Sequence, residues 1–582
     1  MMTTIKKQTP KQAKTFLCAM VLAFGLNACS DYLDVAPEDK LIEEQMYQNV
    51  YDADAAVIGI YGKFMNLAEK YVVLNEMRAD LMSTTYNSTP YLEQLSEHNV
   101  SDDNPYINPK DFYIVIQNCN DALLHFDQML AEKRFTQSEY DQRYADIGCL
   151  RTWVYLQLGI HFGNVPYITK PVENLDDLKN PNLFPKLAFP QLLDELLKFT
   201  ENLNYKKMYA SGSSLLVTVD GFNTEKFFIN KECLLGDLNL WKGNYLQAAS
   251  YYKNVMESTP TGGANTLDYY RVKQAEVVTN DDLAVGYLRD YWEDATTLVD
   301  SDTKGWRSIF GRSRDVLWNT EWVWSLPYTS NFAPANPFIN LFSKTGGSYM
   351  AKPSQRAMDL WNSQVQQNKF PYDARGPKFT YKMNGNDPVI KKYIYKFEAA
   401  ADPFNKDGEW MLYRAAKLHL RYAEAANRDK QHKIANALLN LGINNAYTPA
   451  DYVAGSSVAD IQQTKEPFPY DFDARTGDYP YFRGPWHRGA GLRGRARLNA
   501  LPVVGDSLIS IENNIIDEAA LELAYEGNRW EDLMRVALRR NDPAFLADKI
   551  YEKLSKDNNP HASEVRSKLM NVNNWYLPFV WK

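Results

Sequence analysis

The sequence predicts a mainly α protein: a tetratricopeptide-like scaffold of paired helices, joined to an irregular, loop-rich half that carries a few short strands. Three observations predict it. From Leu235 the chain runs Leu-Gly-Asp-Leu-Asn-Leu-Trp-Lys-Gly-Asn-Tyr-Leu-Gln-Ala-Ala-Ser-Tyr-Tyr and then reaches Pro260. Leu235-Gly236, Ala248, Tyr252 and Pro260 stand where that repeat places Leu-Gly, Ala, an aromatic and Pro. Apolar residues recur at helical spacing mainly within 40–260, 410–446 and 513–540. Between them, 83–109, 262–408 and 447–510 lose the period and fill with Pro, Gly, Asn and Asp.

The chain opens on Lys6, Lys7, Lys11 and Lys14, an apolar run from Phe16 to Gly25, and Leu26-Asn-Ala-Cys29. A basic head, a short apolar middle and a small residue before the cut make an export signal, since a membrane span needs about 20 apolar residues. The Leu-x-Ala-Cys ending is the lipoprotein form, so residues 1–28 are expected to be removed and Cys29 to carry the lipid. Acyl chains hold by burying CH₂ groups, at about 0.8 kcal/mol each. Residues 29–582 then read as one body tethered at its first residue.

Removal of the signal takes four lysines from a chain of net charge −8 and leaves −12. Such an acidic body argues against nucleic acid and against charge-driven docking on anionic lipid. Only Cys119, Cys149 and Cys233 remain beyond the anchor, too few for a disulfide framework. Aromatic residues make up 13% of the chain, with 38 Tyr and 13 Trp. Rings with a polar edge suit ligands that are apolar on one face and hydroxylated at the rim, as sugars are.

In order, 31–52 predicts an extended lead-in with a short helix around Glu43–Val50. Asp52 is read as the N-cap of a helix on which Ala56, Ile60, Phe64 and Leu67 share a face. Ser83–Pro109 predicts a long loop bearing Tyr86, Tyr91 and Tyr106, and long loops in compact proteins tend to be functional. Helices follow over Phe112–Leu130 and Tyr140–Phe162, the second stopped by Gly163-Asn164-Val165-Pro166, then over Gln191–Leu203. Glu321–Leu326 alternates as a strand does. Trp410–Arg428 predicts a helix whose Arg414, Lys417, Arg421, Glu424 and Arg428 form a polar stripe, with a partner helix ending near Ala446. Asn513–Val536 predicts a last long helix. Its Glu518, Glu522 and Glu526 stack and need basic partners, for which the Arg414–Arg428 stripe is the candidate.

Motifs for chemistry are wanting. There is no Gly-x-Ser-x-Gly, phosphate loop or His-Glu-x-x-His, and the seven histidines lack metal-ligand spacing, so no metal and no cofactor is expected. Gly489-Ala-Gly491-Leu-Arg-Gly494 matches a dinucleotide pattern only formally, because no apolar strand precedes it. The arginines around it (Arg483, Arg488, Arg493, Arg495, Arg497) suit an anion or, with this net charge, the acidic helices. A pair of catalytic carboxylates is not excluded among 72 acids.

Four stretches together resemble the SusD/RagB family of surface glycan-binding lipoproteins of Gram-negative bacteria. They are Cys29-Ser-Asp-Tyr-Leu-Asp34; the Arg151–Pro166 helix ending Phe-Gly-Asn-Val-Pro; Arg414…Leu420-Arg-Tyr-Ala-Glu424; and Glu522-Leu-Ala-Tyr-Glu-Gly-Asn-Arg-Trp-Glu-Asp-Leu533. The resemblance implies a non-catalytic body that captures an oligosaccharide or polysaccharide. It also implies an outer-membrane, exterior-facing location and a SusC-like TonB-dependent transporter as partner. A surface glycosidase and a purely structural scaffold are the other readings. The matching motifs are scaffold motifs, so no sugar-contacting residue carries over. From residue type and place alone, the expected ligand contacts are Tyr86, Trp292, Trp306 and Tyr328, with Arg78 as a polar clamp. Trp318, Trp322 and Trp324 are left to the core.

Overall fold

The computed structural model describes residues 46–172, 184–219, 222–256, 305–311, 321–367, 369–397, 402–451, 464–472 and 491–581, with Asn180 and Asp302 besides. The lipid-anchor residue Cys29, Pro260 of the repeat, Trp292, Trp318, Arg483 and Arg488 lie outside these residues.

Helix Val50–Phe64 begins one turn earlier than the sequence suggests. Its N-cap is Asn49, whose side chain accepts from Tyr51 and Asp52 N–H, while Asp52 at the third position reaches back to the Asn49 N–H. Asp52 is thus the far half of a capping box, not the cap. The expected helix around Glu43–Val50 is absent from its described part, since 46–49 are bends.

Paired helices then build the scaffold. Lys110–Ala131 packs against Gln137–Phe162, which Thr136 and Glu139 close with a second capping box. Phe189–Glu201 lies against Gln137–Phe162 and against Lys231–Lys242. Lys231–Lys242 and Tyr245–Met256 form the repeat pair read from sequence, turned by Gly243 at φ 83°. The close approach in this pair needs Gly236: a Cβ there would sit 2.3 Å from the Tyr252 ring. Ala415–Arg428 packs on Tyr245–Met256 and on Ser507–Glu522, and pairs with His432–Leu439. Arg529–Arg540 returns to Ala68–Glu76, so the last helices close onto the first.

Three expectations are corrected. Trp410–Arg414 is strand, not helix: Gly408–Arg414 pairs antiparallel with Trp322–Tyr328, Trp410 opposite Leu326, and every residue of both strands is buried. A strand buried on both faces shows no polar alternation, which is why its sequence joined the following helix. Asn513–Val536 is not one helix. It breaks between Glu522 and Arg529, where Tyr525 and Gly527 take φ 69° and 81°. The 83–109 stretch is also more ordered than a loop, holding strand Met82–Thr84 and helix Pro90–Ser96. Helices Ala544–Lys556 and Ala562–Leu569 were not read from sequence, although Leu546, Ile550 and Leu554 are buried at helical spacing.

Cys119, Cys149 and Cys233 are buried thiols, and Trp322 and Trp324 are core residues as expected. Among the described residues, no helix is long and apolar enough to cross a membrane.

Candidate functional site

The polar stripes of the sequence meet inside the protein. Arg375 pairs with Asp373, Glu518 and Glu522. Arg414 pairs with Glu321, Glu522 and Glu526. Arg493 reaches Glu518, Arg495 reaches Glu321 and Glu522, and Lys392 reaches Glu526. Five cations thus face five carboxylates in full or nearly full burial. The stacked glutamates find one expected partner in Arg414 of the predicted stripe, and further ones in Arg375, Lys392 and the Arg493 and Arg495 side chains of the short helix Leu492–Arg495. Burial works to raise the Glu522 carboxyl, but Arg495, Arg414 and Arg375 outweigh it and hold it at about 2. Carboxylates so paired and enclosed cannot reach a substrate, so this cluster is frame.

The predicted ligand contacts separate into two groups. Arg78 is buried: its guanidinium lies 4.0 Å above the Trp530 ring, with Nη1 3.2 Å from His161 Nδ1 and Nη2 donating to the Trp575 carbonyl. Trp306 is buried over the charge cluster, with the Arg414 and Arg495 guanidinium groups 5.3 Å from its ring. Tyr328 closes the buried strand and donates to the Met65 carbonyl at 3.4 Å. These three are corrected as ligand contacts, because their surfaces are spent on the core. Trp292 lies outside the described residues. Among the described members of the set, Tyr86 alone stands at the surface, 71% exposed.

Three loops hold Tyr86 in place. Strand Met82–Thr84 pairs with Ala351–Pro353, which sets the 85–90 turn against residues 348–350. Thr85 Oγ1 donates to Tyr349 O at 2.5 Å, Asn87 Nδ2 to Ser348 O at 3.1 Å, and Ser88 Oγ to Met350 O at 2.5 Å. Hairpin Tyr381–Asn384 and Asp387–Ile390 brings up the third side. The Tyr86 hydroxyl donates to Asp387 Oδ2 at 3.2 Å, and the Lys344 ammonium donates to the same oxygen. That ammonium also holds the Asp387 carboxyl below the usual range. Beneath lies Tyr349, 6.0 Å from the Tyr86 ring, its own hydroxyl bonded to Pro388 O at 2.9 Å. Tyr349 sits at φ 50°, a conformation costing a side chain-bearing residue roughly 1–2 kcal/mol, and the surrounding bonds sustain it.

The result is an open ring fixed at its hydroxyl, fringed by Asn87, Lys344, Ser348 and Asp387. Sequence reasoning missed Asp387 and Lys344. They lie 301 and 258 residues from Tyr86, and the one local signal was a Gly385 hairpin turn.

A groove of about 550 Å³ lies elsewhere, between Leu501, Val504 and Ile509. Its polar groups are taken up internally: Ser510 Oγ accepts from Val504 N–H, and Asn514 donates to Pro502 O. It offers no aromatic ring, so Tyr86 is the better candidate. Among the described residues no cluster of His, Cys, Asp or Glu could hold a metal.

A helical-repeat frame thus carries a fixed, exposed ring on joined surface loops. Residues 490–580 match the model of the SusD family. A curated relative, SusD-like protein P38 of Formosa agariphila, is 26% identical over 191 residues, which is 32% of this chain and 36% of that protein; the match spans about a third of the relative's length. A SusD superfamily protein from Bacteroides vulgatus superposes with TM-score 0.55 at 14% identity, covering 92% of this chain and 96% of that one. Surface glycan-binding protein A from Bacteroides uniformis gives TM-score 0.55 at 15% identity, with 91% and 96% covered. A SusD-like carbohydrate-binding protein from Bacteroides fragilis gives 0.52 at 16%, with 86% and 88% covered. The chain is SusD-like, by sequence over its C-terminal block and by fold over most of its length.

Proposed function

We propose that the protein is a non-catalytic glycan-binding lipoprotein of the outer membrane, held by a lipid on Cys29 and facing the cell exterior. It captures an oligosaccharide or polysaccharide and passes it to a SusC-like TonB-dependent transporter. The observation that carries the binding step is Tyr86: an aromatic face left open to solvent while its hydroxyl donates to Asp387 and its turn is bonded to residues 348–350. Stacking on the ring supplies affinity, and Asn87 and Asp387 orient hydroxyls at the rim. Two of the structurally similar proteins are themselves described as glycan- or carbohydrate-binding, which supports the same reading.

The test is affinity electrophoresis of the full chain in gels containing starch, laminarin, xylan or pectic galactan. Retardation by one of them, lost on Tyr86→Ala, is the expected result. Retardation that survives Tyr86→Ala moves the site, and breakdown of the polysaccharide by purified protein replaces binding with hydrolysis. Labelling with a clickable fatty acid, lost on Cys29→Ala, tests the anchor. Co-purification of the transporter with the tagged chain tests the partner.

A further inference from the structure

The hairpin that carries Asp387 turns through the one Asn-Gly pair in the sequence, Asn384-Gly385. Strands Tyr381–Asn384 and Asp387–Ile390 pair with Asn384 opposite Asp387, so Gly385 and Asn386 make the turn. Gly385 takes φ 67° and Asn386 is not left-handed, which is the type II′ arrangement and calls for glycine at the first turn position. Met383, Asn384, Gly385 and Asn386 are all exposed, and the space where a Gly385 Cβ would stand is open. Among the described residues, nothing accepts from the Gly385 N–H and nothing bonds to the Asn384 side chain. One charged group does reach the peptide between them. Lys344 Nζ stands 3.4 Å from Asn384 O while donating to Asp387 Oδ2.

We propose that Asn384 is a modification site, deamidated by attack of its own main chain with Lys344 promoting the step, and that the new carboxylate loosens the Tyr86 contact. Gly385 N attacks Asn384 Cγ. The N–Cγ bond forms, the Cγ–Nδ2 bond breaks, and Nδ2 leaves as ammonia with the proton from Gly385 N. Water then opens the cyclic imide. Opening at Cγ gives aspartate; opening at the main-chain carbonyl gives isoaspartate, whose chain runs through the side chain and is longer by a CH₂. Glycine at 385 leaves the attacking nitrogen uncrowded, since there is no Cβ beside it. The nucleophile is the deprotonated amide, whose charge spreads onto Asn384 O, and a cation near that oxygen favours the charged form. Lys344 is that cation. Either product sets a negative charge directly across the ladder from Asp387, and like charges so placed repel. Isoaspartate also shifts the strand end that holds Asp387. The consequence for binding rests on the reading of Tyr86 given above, because the Tyr86 hydroxyl donates to Asp387. The modification itself does not.

The test is peptide mapping by mass spectrometry of the full chain, held in detergent at mildly acid and mildly alkaline pH. The peptide bearing Asn384 should gain about 1 Da, the difference between –NH₂ and –OH, and should accept a methyl group from an isoaspartyl methyltransferase. The gain should be faster at the higher pH and absent in Asn384→Gln, whose attack needs a larger ring. It should be several-fold slower in Lys344→Met. Both side chains are exposed, so folding is not at stake. An unchanged mass in the wild type overturns the proposal, as does an equal gain in Asn384→Gln. An equal rate in Lys344→Met overturns the part given to the ammonium. Affinity electrophoresis then reads the consequence. The aged wild type should lose several-fold of the retardation that aged Asn384→Gln keeps, and equal retardation of the two overturns the loosening. Tyr86→Ala reports separately. If it is retarded as the wild type is, the reading of Tyr86 fails, while the mass shift at Asn384 stands or falls by itself.

Discussion

Arg414 Nη1 donates at 2.7 Å to Glu522 Oε1, joining residues 108 apart with both side chains fully buried. The same guanidinium serves Glu321 and Glu526, so one side chain ties the strand end at Arg414 to two successive turns of the C-terminal region. Removing it would leave three buried carboxylates short of a partner. Breaking a buried pair in this way costs about 3–5 kcal/mol, more than the pair's net worth, because the desolvated charge remains. Arg414→Met should lower stability by that amount in urea titration. A loss within about 1 kcal/mol would mean that water or the neighbouring Arg495 replaces the missing charge.

Glu76 gives the stability a pH dependence. Its Oε1 accepts from Gly527, Asn528 and Arg529 N–H at the start of the last repeat helix, while Oε2 is buried without a hydrogen-bond partner. Burial outweighs those bonds and pushes the carboxyl up to about 8. In the unfolded chain it titrates near 4.3. Between these values the folded state binds a proton that the unfolded state does not. Stability from this group is therefore complete below about 4 and falls as pH rises through 8. Glu76→Gln keeps an acceptor for the three N–H groups and cannot ionise. The variant should gain on the wild type in denaturant midpoint as pH goes from about 5 to 8. A constant difference across that window would show that Glu76 stays ionised.

Gly527 makes the break between the last two scaffold helices possible. At φ 81° it occupies the left-handed region, and a Cβ would meet the Tyr71 ring at 2.2 Å. Gly527→Ala combines roughly 1–2 kcal/mol of backbone strain with about 1–3 kcal/mol of overpacking. The melting temperature should drop accordingly, and in a double-mutant cycle with Tyr71→Ala, which empties a core position of its own, the coupling should equal only the packing share. A neutral Gly527→Ala would mean that the helix–helix corner is not rigid.

The helix pairs were legible because their apolar faces repeat at helical spacing, and Leu235–Tyr252 even keeps the small residues that let two helices close. What was illegible depended on neighbours far along the chain. At Leu523–Asn528 the apolar spacing runs on through Leu523 and Trp530, and Gly527 is the one local break signal; the contacts that fix the break come from Tyr71 and Glu76, some 450 residues upstream. Trp410–Arg414 was mistaken for helix because both faces of that strand are buried. The same limit governed the site. Tyr86 was legible as a ring in a polar stretch, but burial decided against Trp306 and Tyr328, and ring-rich irregular sequence does not say which rings the core will claim.

Tyr86 itself allows its two parts to be separated. If the ring provides the contact, Tyr86→Phe keeps the stacking surface and loses only the hydroxyl bond to Asp387, whereas Tyr86→Ala loses both. An aromatic contact of about 0.5–1.5 kcal/mol beyond burial, added to the lost area, corresponds to tenfold or more in affinity. Tyr86→Ala should therefore weaken binding of the retarding polysaccharide by at least that factor, and Tyr86→Phe by only a few-fold. Asp387→Asn leaves an acceptor for the hydroxyl but releases Lys344, so it should resemble Tyr86→Phe at low salt. Calorimetry on the three variants checks the order. If Tyr86→Phe were as damaging as Tyr86→Ala, recognition would run through the hydroxyl and Asp387, with the ring only their support.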